Sequence, residues 1–214
     1  MLFIRLLGLI MRFIISILLI ASSLNSLIAQ FSEQNSLYLS NEINVGNYFG
    51  FDINLNYLRN DKYSLKIGHT RSFRDPISKP SDYTSGFSGL ISFGVNRPYD
   101  QIHNYSILFG KIHYIKGREK IRFNISVGIG YSQIVEPENW IPIDVGLFQE
   151  NYTWNYSQFD AISIIVNPKI EFPFTKVFGL SVSPLIYFNT ERVFYGIGIG
   201  YIIGLTKSTN PNNN

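Results

Sequence analysis

The stretch VFYGIGIGYIIGL, residues 193–205, decides how the rest of the chain is read. Val193, Tyr195, Ile197, Ile199, Tyr201, Ile203 and Leu205 are large and apolar, and Gly196, Gly198, Gly200 and Gly204 alternate with them. Only Phe194 and Ile202 interrupt the small-residue set. A period of two specifies a strand with one bulky face and one nearly bare face. Its length exceeds the roughly five or six residues of a usual soluble strand and suits the about 9–11 residues of a tilted membrane-crossing strand.

The same rule organises seven earlier stretches, so eight strands are expected. The first runs over about Ile43–Leu58, with Ile43, Val45, Phe49, Phe51, Ile53, Leu55 and Tyr57 on one face. The others are Tyr63–Phe73, about Tyr83–Val95, His103–Ile115, Ile121–Ile134, Ile162–Phe174, Phe178–Phe188 and the closing strand itself. Arg59-Asn60-Asp61-Lys62 reads as a turn, and the segment with Pro76 and Pro80 as a link. Residues 135–156 read as the one long loop. Pro168 and Pro184 fall inside two runs, and each removes a ladder donor, so a bulge or strand end is expected near each.

Residue size settles which face lies inside. A polar face turned to water would favour long charged side chains, yet this one is dominated by Gly, Ser and Asn. The interior of an eight-stranded barrel has room only for small or mutually paired side chains. The opposite face carries more Phe, Tyr, Ile and Val than such an interior holds, and in lipid it needs no partner. Closure is then required, because unpaired strand edges cannot be satisfied in hydrocarbon. The expected fold is all-β, a single eight-stranded antiparallel up-and-down transmembrane β-barrel.

Residues 1–29 read as a cleaved signal peptide. Arg5 and Arg12 precede the apolar run Phe13–Ala21, and Ala29 offers the cut, with either Met1 or Met11 as the start. The barrel is assigned to 36–207 and a disordered polar tail to 208–214. The 214-residue chain has no Cys, 15% charged and 15% aromatic residues. Neither a disulfide framework, a thiolate metal site nor a lipoprotein anchor is available to it. Without Arg5 and Arg12, 16 basic residues stand against 15 acidic ones, which gives no electrostatic case for nucleic acid.

With eight runs, a signal peptide and a glycine-rich final strand, the chain resembles the small eight-stranded outer-membrane β-barrel proteins of Gram-negative bacteria. Gly200, Ile203 and Leu205 look like the insertion signal that closes those proteins. The resemblance implies an outer-membrane address, outer-membrane lipid and the insertion machinery as partners, a monomer, and both termini in the periplasm. Residues 135–156, Arg59–Lys62, about Arg97–Gln101 and Asn189–Arg192 would then be extracellular.

Interior-parity charges are Glu42, Asp52, Lys66, Arg122, Lys169 and Glu171. Arg122 and Glu171 should face each other near the periplasmic rim, with Lys169 and Glu42 close by, as paired filling of a polar lumen rather than an ion path. His69, Arg71, Lys111 and His113 share parity with the apolar residues and should lie near lipid headgroups. In the long loop, Trp140, Phe148, Tyr152, Trp154 and Tyr156 stand beside Glu136, Glu138, Asp144 and Glu150. That set suits an extracellular sugar, peptide or protein, or loosely held Ca²⁺, and equally an interfacial belt. His69 with Ser72, or His113 with a distant Ser, are the only catalytic candidates and lack an orienting third group. No metal site, cofactor or enzymatic activity is expected. The function expected is structural, adhesive or ligand-contacting; a lipid-modifying enzyme and a soluble carrier of an apolar ligand are the alternatives.

Overall fold

The computed structural model describes residues 35–91, 97–115, 118–144, 146 and 149–206. The signal peptide 1–29, the tail 208–214 and Phe148 lie outside the described residues. Eight strands follow in order: β1 (Ser36–Gly46), β2 (Phe49–Arg59), β3 (Tyr63–Arg74), β4 (Asp100–Ile115), β5 (Arg118–Pro142), β6 (Tyr152–Pro173), β7 (Phe178–Phe188) and β8 (Val193–Leu205). Each pairs antiparallel with its sequence neighbours, and β8 pairs with β1 to close the barrel. One row of lateral partners leaves β1 at Ser36, passes Leu58, Ser64, Gly110 and Ser126, and comes back through Gly196 to Gly46. That displacement along β1 sets the stagger and tilts the strands.

The faces point as residue size required. Val45, Ile53, Ile67, Phe109, Ile129, Ile162 and Ile199 are exposed on the outer wall, while Ser40, Asn56, Ser126, Asn124 and Ser181 are buried within. An exposed apolar surface running around all the strands is far larger than a water-soluble monomer tolerates, so the wall meets hydrocarbon. Among the described residues no helix is long and apolar enough to cross a membrane; the strands do so.

Two of the expected strands are corrected, and the errors offset each other. Ile43–Leu58 is two strands, β1 and β2, reversing at Asn47 and Tyr48. Odd-numbered positions face outward on both, so the alternation continues through the turn and conceals it. The described part of the expected strand 83–95 is not a strand: Gly86–Ile91 is a short helix, α1, within the connection from β3 to β4, and 92–95 lie outside the described residues. The ends of the barrel change accordingly. Arg59–Lys62 lies at the end where Ser36 and Leu205 sit, not with the long loop, and the Pro76–Pro80 segment lies at the opposite, loop end. Asn60 and Asp61 both have positive φ (54° and 50°), as tight primed hairpin turns require.

Residues 135–156 are also corrected. β5 and β6 stay paired out to Pro142 and Tyr152, so only 143–151 connect them. The prolines produce no bulge. The β6–β7 register is the same on both sides of Pro168 and Pro184, which sit opposite each other in a gap in the ladder. Two missing N–H donors at one cross-strand position open the gap, and the Asn167 side chain donates to the Pro184 carbonyl at 3.0 Å in their place.

The interior is layered. Near the terminal end Tyr38, Leu58, Ile112 and Ile202 form one apolar plug. Near the loop end Tyr48, Ile102, Leu108, Ile134, Ile165, Leu185, Tyr187 and Phe194 form another. Tyr187 and Phe194 stack with centroids 4.4 Å apart. Phe194 and Ile202, the two exceptions in the glycine row of β8, are the plug residues of that strand. Buried polar and charged groups fill the space between.

Candidate functional site

The lumen brings the six interior-parity charges together. Arg122 on β5 lies opposite Glu171 on β6, and its Nε donates to Glu171 Oε2 at 2.5 Å. Tyr38 OH donates to the other carboxylate oxygen at 2.7 Å, Arg122 Nη1 donates to the Thr206 carbonyl at 2.8 Å, and the guanidinium lies over the Tyr38 ring. Lys169 pairs with Glu42 at 2.7 Å and donates to Ser40 Oγ. Ser181 and Ser183 each donate to Glu42 at 2.5 Å. Asp52 accepts from Asn44 and Asn54, and Lys66 donates to Asn167 Oδ1. Between Asp52 and Lys66 a cavity of about 10 Å³ remains, barely the room one water needs.

The loop end carries a second layer that sequence reasoning did not assemble. Arg74 pairs with Asp100 at 3.0 Å and lies over the Tyr48 ring, 4.3 Å from its centroid. Arg192, in the β7–β8 turn, reaches across to Glu136 and donates to it from Nε at 2.7 Å. The Glu136 carboxylate, hydrogen-bonded to the Arg192 guanidinium, holds it above its ordinary pKa.

Outward from the strap, the β5–β6 ribbon leaves the barrel. β4 pairs with β5 only as far as Val135, and β7 meets β6 only from Ile164, so 136–142 and 152–163 lie beyond one or both neighbours. Trp140 and Trp154 lie 5.4 Å apart, Tyr152 packs edge-on to Trp140, and Tyr83 packs edge-on to both tryptophans. Tyr152 OH donates to Asp82 and Tyr83 OH to Glu150. Trp140 Nε1 donates to Ser78, which donates to the Pro137 carbonyl. The segment 75–91 is thereby stitched along the ribbon. Tyr156 is half exposed to one side. Burial and the Glu150 carboxylate push the Tyr83 phenol well above its ordinary range, and the Asp82 carboxylate raises that of Tyr152. An open pocket of about 190 Å³, lined by Asp75, Lys79, Tyr83, Thr84, Ser85, Arg97 and Pro98, adjoins the rings through Tyr83.

Tyr83, Asp82 and Ser78 were missed because residues 83–95 alternate loosely. The signal against a strand there was Gly86, Gly89 and the four serines Ser81, Ser85, Ser88 and Ser92, after two prolines. His69 is on the outer wall and Ser72 is buried inside, so that pair is not assembled; His113 is also exposed on the wall. Among the described residues no cluster of His, Asp or Glu has the makings of a metal site.

No family model and no curated protein matches the chain. Among solved structures it is similar to the N-terminal β-barrel domain of Pseudomonas aeruginosa OprF, with a TM-score of 0.51 and 12% identity over 79% of this chain and 97% of that one. Neisserial surface protein A aligns with a TM-score of 0.45 and 13% identity over 81% of this chain and 97% of that one. Ail of Yersinia pestis aligns at 0.44 and 11%, over 79% and 95%. The fold is that of the small eight-stranded outer-membrane barrels.

Proposed function

We propose that the mature protein is a non-enzymatic outer-membrane barrel that contacts an extracellular ligand through its β5–β6 ribbon. The observation that carries this reading is the ribbon itself. A sealed barrel needs no paired strands standing beyond its neighbours, and these hold half-exposed tryptophans, tyrosines and a polar pocket on a braced scaffold. A cluster of tilted and edge-on aromatic rings beside carboxylates suits a sugar ring or an extended peptide, whose apolar patches lie on the rings while hydroxyls or amides meet the acids. Both termini lie in the periplasm, and the ribbon, α1 and the β7–β8 turn lie outside. The barrel is a monomer in outer-membrane lipid and depends on the insertion machinery to reach it. The lipid-modifying alternative loses its His69–Ser72 pair, whose members lie on opposite faces of β3.

Address and contact are tested separately. Fractionation is expected to leave the protein in the outer-membrane pellet, with a band whose mobility changes on boiling; recovery without detergent overturns the address. For contact, Trp140 and Trp154 are the only tryptophans of the chain, so their emission reports on the ribbon alone. Nanodisc-embedded protein is screened on glycan and peptide arrays, and each retained compound is then titrated against this emission. A shift that disappears in Trp154→Phe, with lowered retention, is expected. Retention unchanged after removal of residues 138–155 overturns the reading.

A further inference from the structure

Near the loop end the outer wall carries a polar cluster among its apolar residues. On β3 and β4, Arg71 lies opposite His103, and His69 lies opposite Tyr105. Arg71 is exposed and donates from Nη2 to Gln101 Oε1 at 3.1 Å. His69 stacks on Tyr105 at 4.6 Å and on His103 at 5.9 Å. Lateral neighbours on β2 are Phe51 and Ile53, so the cluster continues an apolar surface and belongs to the lipid-facing wall.

Its level on the wall follows from the rings around it. Phe73, two residues nearer the loop end, packs on Phe49 at 5.3 Å and Tyr99 at 5.8 Å and forms an aromatic rim. Ile67 and Leu65 continue the wall on the other side. Arg71 and His103 therefore sit just inside the rim, where headgroups give way to acyl chains. Among the described residues Arg71 makes no ion pair. The nearest wall carboxylate in the register, Asp160, is two strands from His103 and already accepts from Tyr131. A guanidinium in this position lacks both bulk water and a protein anion, and the planar fork of Arg fits a phosphate.

We propose that Arg71 and His103, with Gln101 beside them and His69 holding the His103 ring, bind a phosphate-bearing lipid headgroup of the outer leaflet. The inference rests on the outer-membrane reading above, and charge complementarity at headgroup depth selects the occupant. Gln101 fixes the guanidinium plane against the wall, and the phosphate accepts from Arg71 and from an imidazole N–H of His103.

The test is native mass spectrometry of the full mature protein in non-ionic detergent, titrated with bisphosphorylated lipid A and with the same lipid after enzymatic dephosphorylation. Retention of the phosphorylated form about tenfold better is expected. The Arg71→Gln/His103→Gln double variant, checked for its heat-dependent band, should lose that preference, and Lys111→Gln at the opposite rim should keep it. If the double variant does not fold, the wild-type comparison of the two lipids still decides. Equal retention of both lipids, a preference that survives the double variant, or displacement by millimolar inorganic phosphate overturns the proposal. Fractionation involves none of these residues. A protein that pellets with the outer membrane yet shows no phosphate preference refutes the lipid site alone, and one that fractionates elsewhere refutes the address.

Discussion

Glu171 carries the tightest knot of the buried electrostatics, accepting from Arg122 on one oxygen and Tyr38 on the other. Glu171→Gln leaves the Arg122 guanidinium buried without its anion, which should cost about 3–5 kcal/mol, read as a lower urea midpoint for the heat-modifiable band. Replacing both partners, as Arg122→Met with Glu171→Gln, should cost less than the single change, because no uncompensated charge remains. Tyr83 gives the pH test. Its folded pKa lies above the ordinary 10.0, through burial and then the Glu150 contact. The stability it contributes is therefore intact below the unfolded value and is lost only as pH rises through the folded one, in strongly alkaline solution. The phenolate absorbance of the wild type minus that of Tyr83→Phe should show its step above the ordinary tyrosine range. A step at the ordinary value would contradict the contact. Gly200 shows how little room the inner face leaves: a Cβ there would meet the Asn41 carbonyl oxygen at 1.9 Å. At that position the backbone of β1 excludes any side chain.

At the scale of elements, the ribbon is separable from the barrel. The ladders of β4 and β7 end at Val135 and Ile164, so joining Pro137 directly to Tyr156, its lateral partner, removes contacts that no other strand uses. That deletion should leave the heat-dependent mobility shift unchanged while abolishing ligand retention; loss of the shift would mean that the ribbon holds the barrel together. β8, β7 and β3 were legible to within one residue because alternation over ten or more positions has one structural solution, whereas β5 runs eight residues past the expected Ile134. β1 and β2 were fused because their turn preserves parity, and Tyr48 inside that turn faces inward like a strand residue. The stretch 83–95 was read as a strand because Phe, Leu, Ile and Val spaced among Gly and Ser satisfy a loose period of two, yet Gly86–Ile91 within it is a helix. Proline spacing likewise marks a lost donor but not the partner strand, and Pro168 facing Pro184 is visible only once β6 and β7 are aligned.

For the whole molecule, the layered interior predicts a closed barrel. Two apolar plugs bracket the charged middle, and the cavity beside Asp52 and Lys66 has barely the room of a water. Reconstituted in a planar bilayer, the protein should give no steady conductance, and sustained unitary currents would require the plugs to open. The sequence by itself determined that the chain is an eight-stranded barrel and which face meets lipid, because side-chain parity and size are local properties that survive without knowing the partners. Only the tertiary structure decided which end each turn occupies, how the prolines meet, that 75–91 braces the β5–β6 ribbon, and that Arg71 and His103 lie side by side on the wall. Those are relations between distant strands, fixed by register and by the ten-residue advance of the row from Ser36 to Gly46, and no single stretch of sequence encodes them.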